Sequence, residues 1–112
     1  MLKNNVMVNN GMNIRYDFDA DVLYLDNGGK VKQSIAIDNV IMDVSEGYSV
    51  VALEILNASE ELSVEKELLK KVVRANLKTI KRRDCFGASY VIFHPKSKKV
   101  LDKARVAIPI SY

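Results

Sequence analysis

The chain has 112 residues, 48% of them hydrophobic and 28% charged, and its net charge is +3. These values are typical of one globular domain, here residues 1–112, and exclude an intrinsically disordered chain. The single cysteine excludes an internal disulfide and favours a cytoplasmic location, and the short apolar runs lead us to expect neither a signal peptide nor a membrane span.

The first half of the chain has the rhythm of short β-strands. Residues 1–11 lack periodicity and predict a frayed terminus, or at most an added edge strand. Five strand-like segments follow, ending with "SVVALEIL", and turn residues separate them every eight to ten positions. This pattern predicts an antiparallel β-meander.

The second half begins with a change of period. Ser63 as N-cap, with Glu65 in the first turn and Lys70 near the end, predicts one helix over residues 63–71. Alternating apolar residues then predict a strand over 73–82, with a longer helix as the alternative. "ASYVIFHP" and "KARVAIPI" predict two further strands. The expected fold class is therefore α+β, an antiparallel meander followed by one helix and C-terminal strands.

Three blocks of the first half carry a family pattern, "IRYDFDADVLYL", "NVIMDV" and "VVALEILNAS". Over residues 13–62 they resemble an uncharacterised prokaryotic family, domain of unknown function 2283, in which glycine is usual at the positions of Asn39 and Ala52. The resemblance implies an antitoxin-sized protein and leaves residues 63–112 as a basic helix-and-strand extension. It implies structural roles for seven residues, which are Tyr16, Asp17, Asp21, Tyr24, Asp43, Glu54 and Asn57.

The aspartates of "YDFDADV" imitate the start of a calcium loop, in which carboxylates alternate along the chain. Val22 stands where such a loop needs glycine, and Gly28 stands where it needs a bidentate glutamate. The stretch therefore predicts a β-turn. The place of Asp17 and Asp21 in the family pattern implies that they accept hydrogen bonds from backbone amides, a structural role rather than a catalytic one.

Other reactive side chains lack partners of the right kind. Glu54 has no recognisable acid–base partner, and the single histidine, His94, and the single cysteine, Cys85, do not make a zinc site. We expect no catalytic residue, no metal and no cofactor, and the sequence favours a non-enzymatic protein. A small ribonuclease, which needs only a few Lys, Arg and His side chains, stays open as an alternative.

Charge is unevenly distributed along the chain. Up to Leu62 there are four basic and ten acidic residues, a net charge of −6, whereas from Ser63 onward there are thirteen basic and four acidic residues, a net charge of +9. Such asymmetry predicts a basic face for a polyanion, two halves that attract each other, or a solvated surface.

A basic group in the second half is the strongest functional signal. If the last three strands pair, "KRRD" and "KSKK" lie at opposite ends of the shared strand. Three cations, Lys78, Lys103 and Arg105, then bridge these ends on one polar face, which suits contact with phosphates. Tyr90, Phe93 and Tyr112 are candidates for base stacking, although such residues in strands usually belong to the core. The group consists of Lys78, Lys81, Arg82, Arg83, Lys96, Lys98, Lys99, Lys103 and Arg105.

Two classes of function follow from these features. The first is a non-enzymatic protein-interaction module, antitoxin-like and homodimeric, whose partner is a second copy or a small protein. The alternative is a nucleic-acid-binding protein that uses the basic second half. We expect no membrane partner for either class.

Overall fold

The computed structural model describes residues 12–110; the predicted terminal segment 1–11 and Tyr112 lie outside this range. The described part is mainly antiparallel β-structure with two short helices, so the helical part of the expected α+β fold is small. Its helices are too short to cross a membrane. The elements in chain order are β1 Asn13–Asp17, β2 Val22–Asp26, β3 Gln33–Ile37, β4 Val40–Val44, β5 Val50–Leu56, α1 Ala58–Leu62, α2 Lys66–Leu69, β6 Ala75–Lys81, β7 Cys85–Phe93 and β8 Val100–Pro109.

The first sheet contains the five predicted strands, but their order corrects the predicted meander. The order is β1-β2-β5-β4-β3, so β5 lies between β2 and β4, and β2 does not pair with β3. Strand β5 is buried along most of its length, whereas Gln33, Ser34 and Ala36 of the five-residue β3 are exposed and none of its residues is buried. The most apolar strand therefore occupies the middle of the sheet, where both of its edges are paired.

The predicted helix over residues 63–71 is confirmed only in part, because α2 lies inside that range but is shorter, and a second helix, α1, precedes it. Ser63 does not begin a helix; it follows the end of α1 with a left-handed φ of 54°. The amide of Ser63 donates to the Glu60 carbonyl and the amide of Val64 to the Ser59 carbonyl. These two bonds form a Schellman motif, which satisfies the last carbonyls of α1 and forces the chain to restart as α2.

The second sheet consists of β6, β7 and β8 in that order, which is the pairing that the predicted basic face requires. Residues 75–81 form the predicted strand rather than a longer helix. Alternate residues of β7, among them Ala88 and Ile92, are fully buried and share one core with residues of the first sheet such as Leu23 and Ile55. The opposite face of this sheet, which we call the basic face, points away from that core.

Candidate nucleic-acid interface

The strand register gathers three of the predicted cations on the basic face. Lys78 of β6 and Arg105 of β8 both lie opposite Ser89 of β7, and Lys103 lies opposite Val91 in the next row. All three lysine and arginine residues are exposed. Within residues 12–110 no carboxylate lies within ion-pair distance of them. The face therefore carries positive charge that no described acidic side chain neutralises.

Small residues occupy the centre of the basic face. Gly87 lies one row from Ser89 on β7, between Ile80 of β6 and Ala107 of β8. A Cβ atom at Gly87 would collide with the backbone of Val106 and Ala107, so the two strands approach closely there. Because the central strand presents short side chains, the longer cations of the outer strands stand above it on both sides.

The predicted basic loops lie at the two ends of β7, as the pairing requires. Arg82 and Arg83 belong to the turn before this strand, and the "KSKK" loop follows it. The nine residues of β7 separate these ends by about 30 Å at roughly 3.3 Å per residue. Lys96, Lys98 and Lys99 lie in that loop, which Arg74 holds by donating from Nη2 to the Ser97 carbonyl at 3.1 Å.

Lys81 does not belong to the basic face. Its register partner is Phe86, which packs against the core, and its Nζ donates to the carbonyl of Gly47, in the turn between β4 and β5, at 3.1 Å. Lys78 and Lys81 are three residues apart, and residues an odd number apart on a strand point to opposite faces. This alternation was a signal in the sequence that could have separated the two lysines.

Of the aromatic candidates for base stacking, Tyr90 is buried and Phe93 already contacts a cation. Tyr90 points into the core and is 5% exposed, and burial there, together with Asp102 and Glu61, raises its pKa to about 12. The Arg74 guanidinium lies over the Phe93 ring, 4.8 Å from the ring centroid. Tyr112 lies outside the described residues. The prediction of stacking by Tyr90 is therefore wrong, because the residue alternates onto the inner face of β7.

The aspartate-rich stretch is a turn between β1 and β2. The Asp17 carboxylate accepts a hydrogen bond from the Ala20 amide at 3.0 Å. The Asp21 carboxylate accepts from the Ser59 amide at 3.0 Å, from the Ser59 hydroxyl at 2.6 Å and from the Tyr16 hydroxyl at 2.6 Å. No group of three potential metal ligands occurs within the described residues. These carboxylates are thus engaged in joining chain segments.

The hydrogen bonds at Asp21 also determine its ionisation. Burial opposes the charged form, but the hydrogen bonds from Ser59 and Tyr16 outweigh it, and nearby Lys66 adds to them, so the pKa of the carboxyl lies below its usual range. Burial and the Asp21 carboxylate raise the pKa of the Tyr16 hydroxyl. The pair therefore consists of an ionised acid and a protonated phenol at neutral pH.

The remaining family-motif residues lie on or beside the outer face of the first sheet. Tyr24, Asp43 and Glu54 line one shallow polar cavity of about 280 Å³, and the Arg15 guanidinium stacks on the Tyr24 ring at 4.0 Å. Asn57 is the N-cap residue that precedes α1; its φ is left-handed, at 51°, and its side chain makes no cap hydrogen bond. Its motif position therefore matches a backbone requirement that asparagine meets at low cost.

His94 and Cys85 do not meet. His94 follows the last residue of β7, where its Nδ1 accepts the Lys96 amide at 3.1 Å, whereas Cys85 is the first residue of the same strand. Glu54 lies on the other sheet, opposite Tyr24 and Ile41. The structure therefore brings none of the three reactive side chains that we considered into a common site.

The comparisons with known proteins agree with the sequence pattern. The model of the family described as Protein of unknown function (DUF2283) matches residues 13–59. An uncharacterized protein of Methanocaldococcus jannaschii is 30% identical over 95 residues, which cover 83% of this chain and 82% of that protein. This match is longer than the family segment and extends into the basic second half.

A shorter match is to a Methanosarcina mazei protein named "Putative hypoxanthine phosphoribosyltransferase". It is 34% identical over 58 residues, 51% of this chain and 47% of that protein, so the matched part spans about half of the relative's length. No solved structure matches the chain. The resemblance inferred from the three sequence blocks is confirmed, and the chain belongs to the DUF2283 family.

Proposed function

We propose that this protein is a non-enzymatic binding module whose basic face holds nucleic acid through its phosphates. The observation that supports the proposal is the register that brings Lys78, Lys103 and Arg105 onto one exposed face without a described acidic partner. Positive side chains that are not neutralised within the protein release counterions from a polyanion when they bind it, and this release supplies most of the sequence-independent affinity.

The dimensions of the face suit a nucleic-acid backbone. Neighbouring strands lie about 4.8 Å apart, so Lys78 and Arg105 are roughly 10 Å apart across β7, and Lys103 and Arg105 are roughly 7 Å apart along β8. Basic residues continue for about 30 Å along β7, from the turn that contains Arg82 and Arg83 to the "KSKK" loop. A duplex of this length carries roughly 18 phosphate charges, one per 1.7 Å, so many contacts are within reach.

The experiment is fluorescence anisotropy of labelled RNA and DNA oligonucleotides at about 50 and 200 mM salt. The test variant carries Lys78→Ala, Lys103→Ala and Arg105→Ala. The matched control carries Lys30→Ala, Lys32→Ala and Lys71→Ala, which remove the same charge from exposed lysines outside the basic face.

The expected result is binding that weakens steeply with salt. Each lost phosphate contact lowers the slope of log affinity against log salt by about 0.9, so the test variant should lose a slope of roughly 2 to 3 and at least about tenfold in affinity. The control should retain the wild-type slope of log affinity against log salt, because its replaced lysines lie outside the basic face and do not displace counterions from the bound phosphates. Equal losses in the two variants would reject the basic face as the interface.

A homodimeric interaction module is a second candidate, and the edges of the sheets favour one surface for it. Strand β3 is an edge strand with no charged residue between Gln33 and Ile37. Strand β8, also at an edge, carries Lys103 and Arg105, and cations of this kind discourage pairing with another strand. Pairing of β3 with a second copy is the arrangement that these edges support.

This second candidate has its own test. Sedimentation of the wild type at increasing concentration should reveal a dimer, and Ala36→Lys, which places a charge on the exposed edge strand, should shift the protein to a monomer. A dimer that withstands Ala36→Lys would exclude pairing through β3. For an antitoxin-like role, the same edge would be the surface offered to a small protein partner.

A further inference from the structure

A groove of about 470 Å³ opens between the two sheets, at the end opposite the "KSKK" loop. Its walls are mostly apolar and come from both sheets, with Ile35 of β3, Phe86 of β7 and Ile108 of β8 among them. Pockets that bind small molecules have volumes of roughly 300–1,000 Å³ and this mainly apolar lining. The groove lies on the inner side of the second sheet and is therefore separate from the basic face.

Tyr48 reaches this groove from the turn between β4 and β5 in an unfavourable backbone conformation. Its φ is 59° and its side chain is 62% exposed. A left-handed conformation is costly for a bulky residue, and Gly47, the neighbour that could adopt it freely, does not have a positive φ. The chain thus places an exposed aromatic ring beside the groove, where neither core packing nor turn preference requires it.

Two cations lie at the same groove. Lys81 donates from Nζ to the Gly47 carbonyl, which ties the turn that carries Tyr48 to the second sheet. Arg82 lines the groove beside it, and no described carboxylate lies within ion-pair distance of either side chain. An ammonium has three donors and a guanidinium five, so donors remain for an anionic group.

We propose that the groove binds a small amphiphilic anion, which has an apolar body and one carboxylate or sulfonate group. The body packs against Phe86 and the Tyr48 ring, and the anionic group accepts hydrogen bonds from Arg82 and Lys81. Charge complementarity selects this ligand, because an uncharged apolar molecule would make no use of the donors that remain on Arg82 and Lys81. Burial of the body would contribute most of the affinity and the cations would set the orientation.

The probe is 1-anilinonaphthalene-8-sulfonate, and its uncharged control is N-phenyl-1-naphthylamine, which keeps the apolar body and lacks the sulfonate. Titration of the wild type should show saturable fluorescence enhancement, stronger for the charged probe, and decanoate should displace it. Arg82→Gln should weaken binding of the charged probe by roughly tenfold, the effect of losing a hydrogen bond to a charged group. Lys71→Gln, which removes a charge away from the groove, should leave binding unchanged.

Tyr48→Gly separates binding from stability. It should lower probe affinity at least about fivefold through loss of the ring, while the midpoint of thermal unfolding stays the same or rises. Non-saturable binding, equal affinity for the two probes, or equal affinity in Arg82→Gln and the wild type would overturn the proposal. A concentration-dependent dimer that abolishes probe binding would overturn it too, because a second copy would then be the occupant.

Discussion

At the scale of single residues, Asp21 joins the turn after β1 to the segment after β5. Its carboxylate accepts bonds from Tyr16 and Ser59, and its carbonyl accepts the Ala58 amide at 2.9 Å. A carboxylate with several donors is strongly stabilised in its charged form. The aspartate in the family pattern is therefore explained by the contact between two segments that are 38 residues apart.

Asp21→Asn should remove part of the acid sensitivity of the fold. The pKa of this carboxyl is lower in the folded protein than in the unfolded chain, where it has the usual value of about 3.9. Near and below that pH the unfolded chain therefore binds more protons than the folded protein, so the free energy of unfolding decreases as the pH falls further. The free energy of unfolding of the variant should be about 1–3 kcal/mol lower than that of the wild type at neutral pH. It should then decrease less than the wild-type value as the pH falls. Urea unfolding between pH 7 and 3 measures this, with Asp19→Asn as control; parallel curves for wild type and Asp21→Asn would contradict it.

Tyr48→Gly is expected not to destabilise the protein. Glycine adopts the left-handed conformation without the cost of a Cβ atom, so the free energy of unfolding should stay the same or rise by up to about 1 kcal/mol. Glu46→Gly in the same turn is the control, and it should lower stability because that residue has no positive φ to relieve. A loss of more than about 1 kcal/mol in Tyr48→Gly in urea unfolding would show that the ring stabilises the fold.

At the scale of elements, the close approach of β7 and β8 depends on Gly87. Gly87→Ala would place a Cβ atom against the backbone of Val106 and Ala107, which cannot move without breaking the strand pairing. We expect a loss of about 3 kcal/mol or more in urea unfolding. Ser89→Ala, on the same face two residues later, should be nearly neutral. A tolerated Gly87→Ala would contradict the close approach.

Element boundaries in the second half depend on interactions that periodicity does not encode. The residues of "ASEELSVEKELL" are compatible with one helix, yet the chain closes α1 at Ser63 and restarts. Ala58 and Leu62 of α1 and Leu69 of α2 are buried, so both short helices contribute apolar anchors to the core. The position of the break depends on where these anchors can pack in the core, and that core is formed by the two sheets.

At the scale of the whole molecule, the two sheets share one core and should unfold together. Buried residues of both sheets form one cluster, and the Val50 amide of β5 donates to the Thr79 hydroxyl of β6 at 2.9 Å. The chain lacks tryptophan, so Tyr24→Trp and Phe93→Trp would report separately on the first and second sheets. Coincident fluorescence midpoints in urea are expected for a cooperative unit, and separate midpoints would indicate two domains.

The sequence could predict much of the candidate interface because strand alternation is local. A period of two places Lys103 and Arg105 on one face of β8 wherever that strand lies, and the turn before β7 makes β6 its neighbour. The groove was not predicted. Ile35, Tyr48 and Arg82 approach one another only because β3, a turn of the first sheet and a turn of the second sheet meet there.

Steric preferences and periodicity within a few residues are enough to specify the strands, their alternating faces, the aspartate turn and the family pattern. Long-range packing determines instead that β5 enters between β2 and β4, that α1 ends at Ser63, and that Lys81 approaches the groove. Strand order and grooves depend on which distant apolar surfaces pack together, and that choice is a property of the whole chain rather than of any segment.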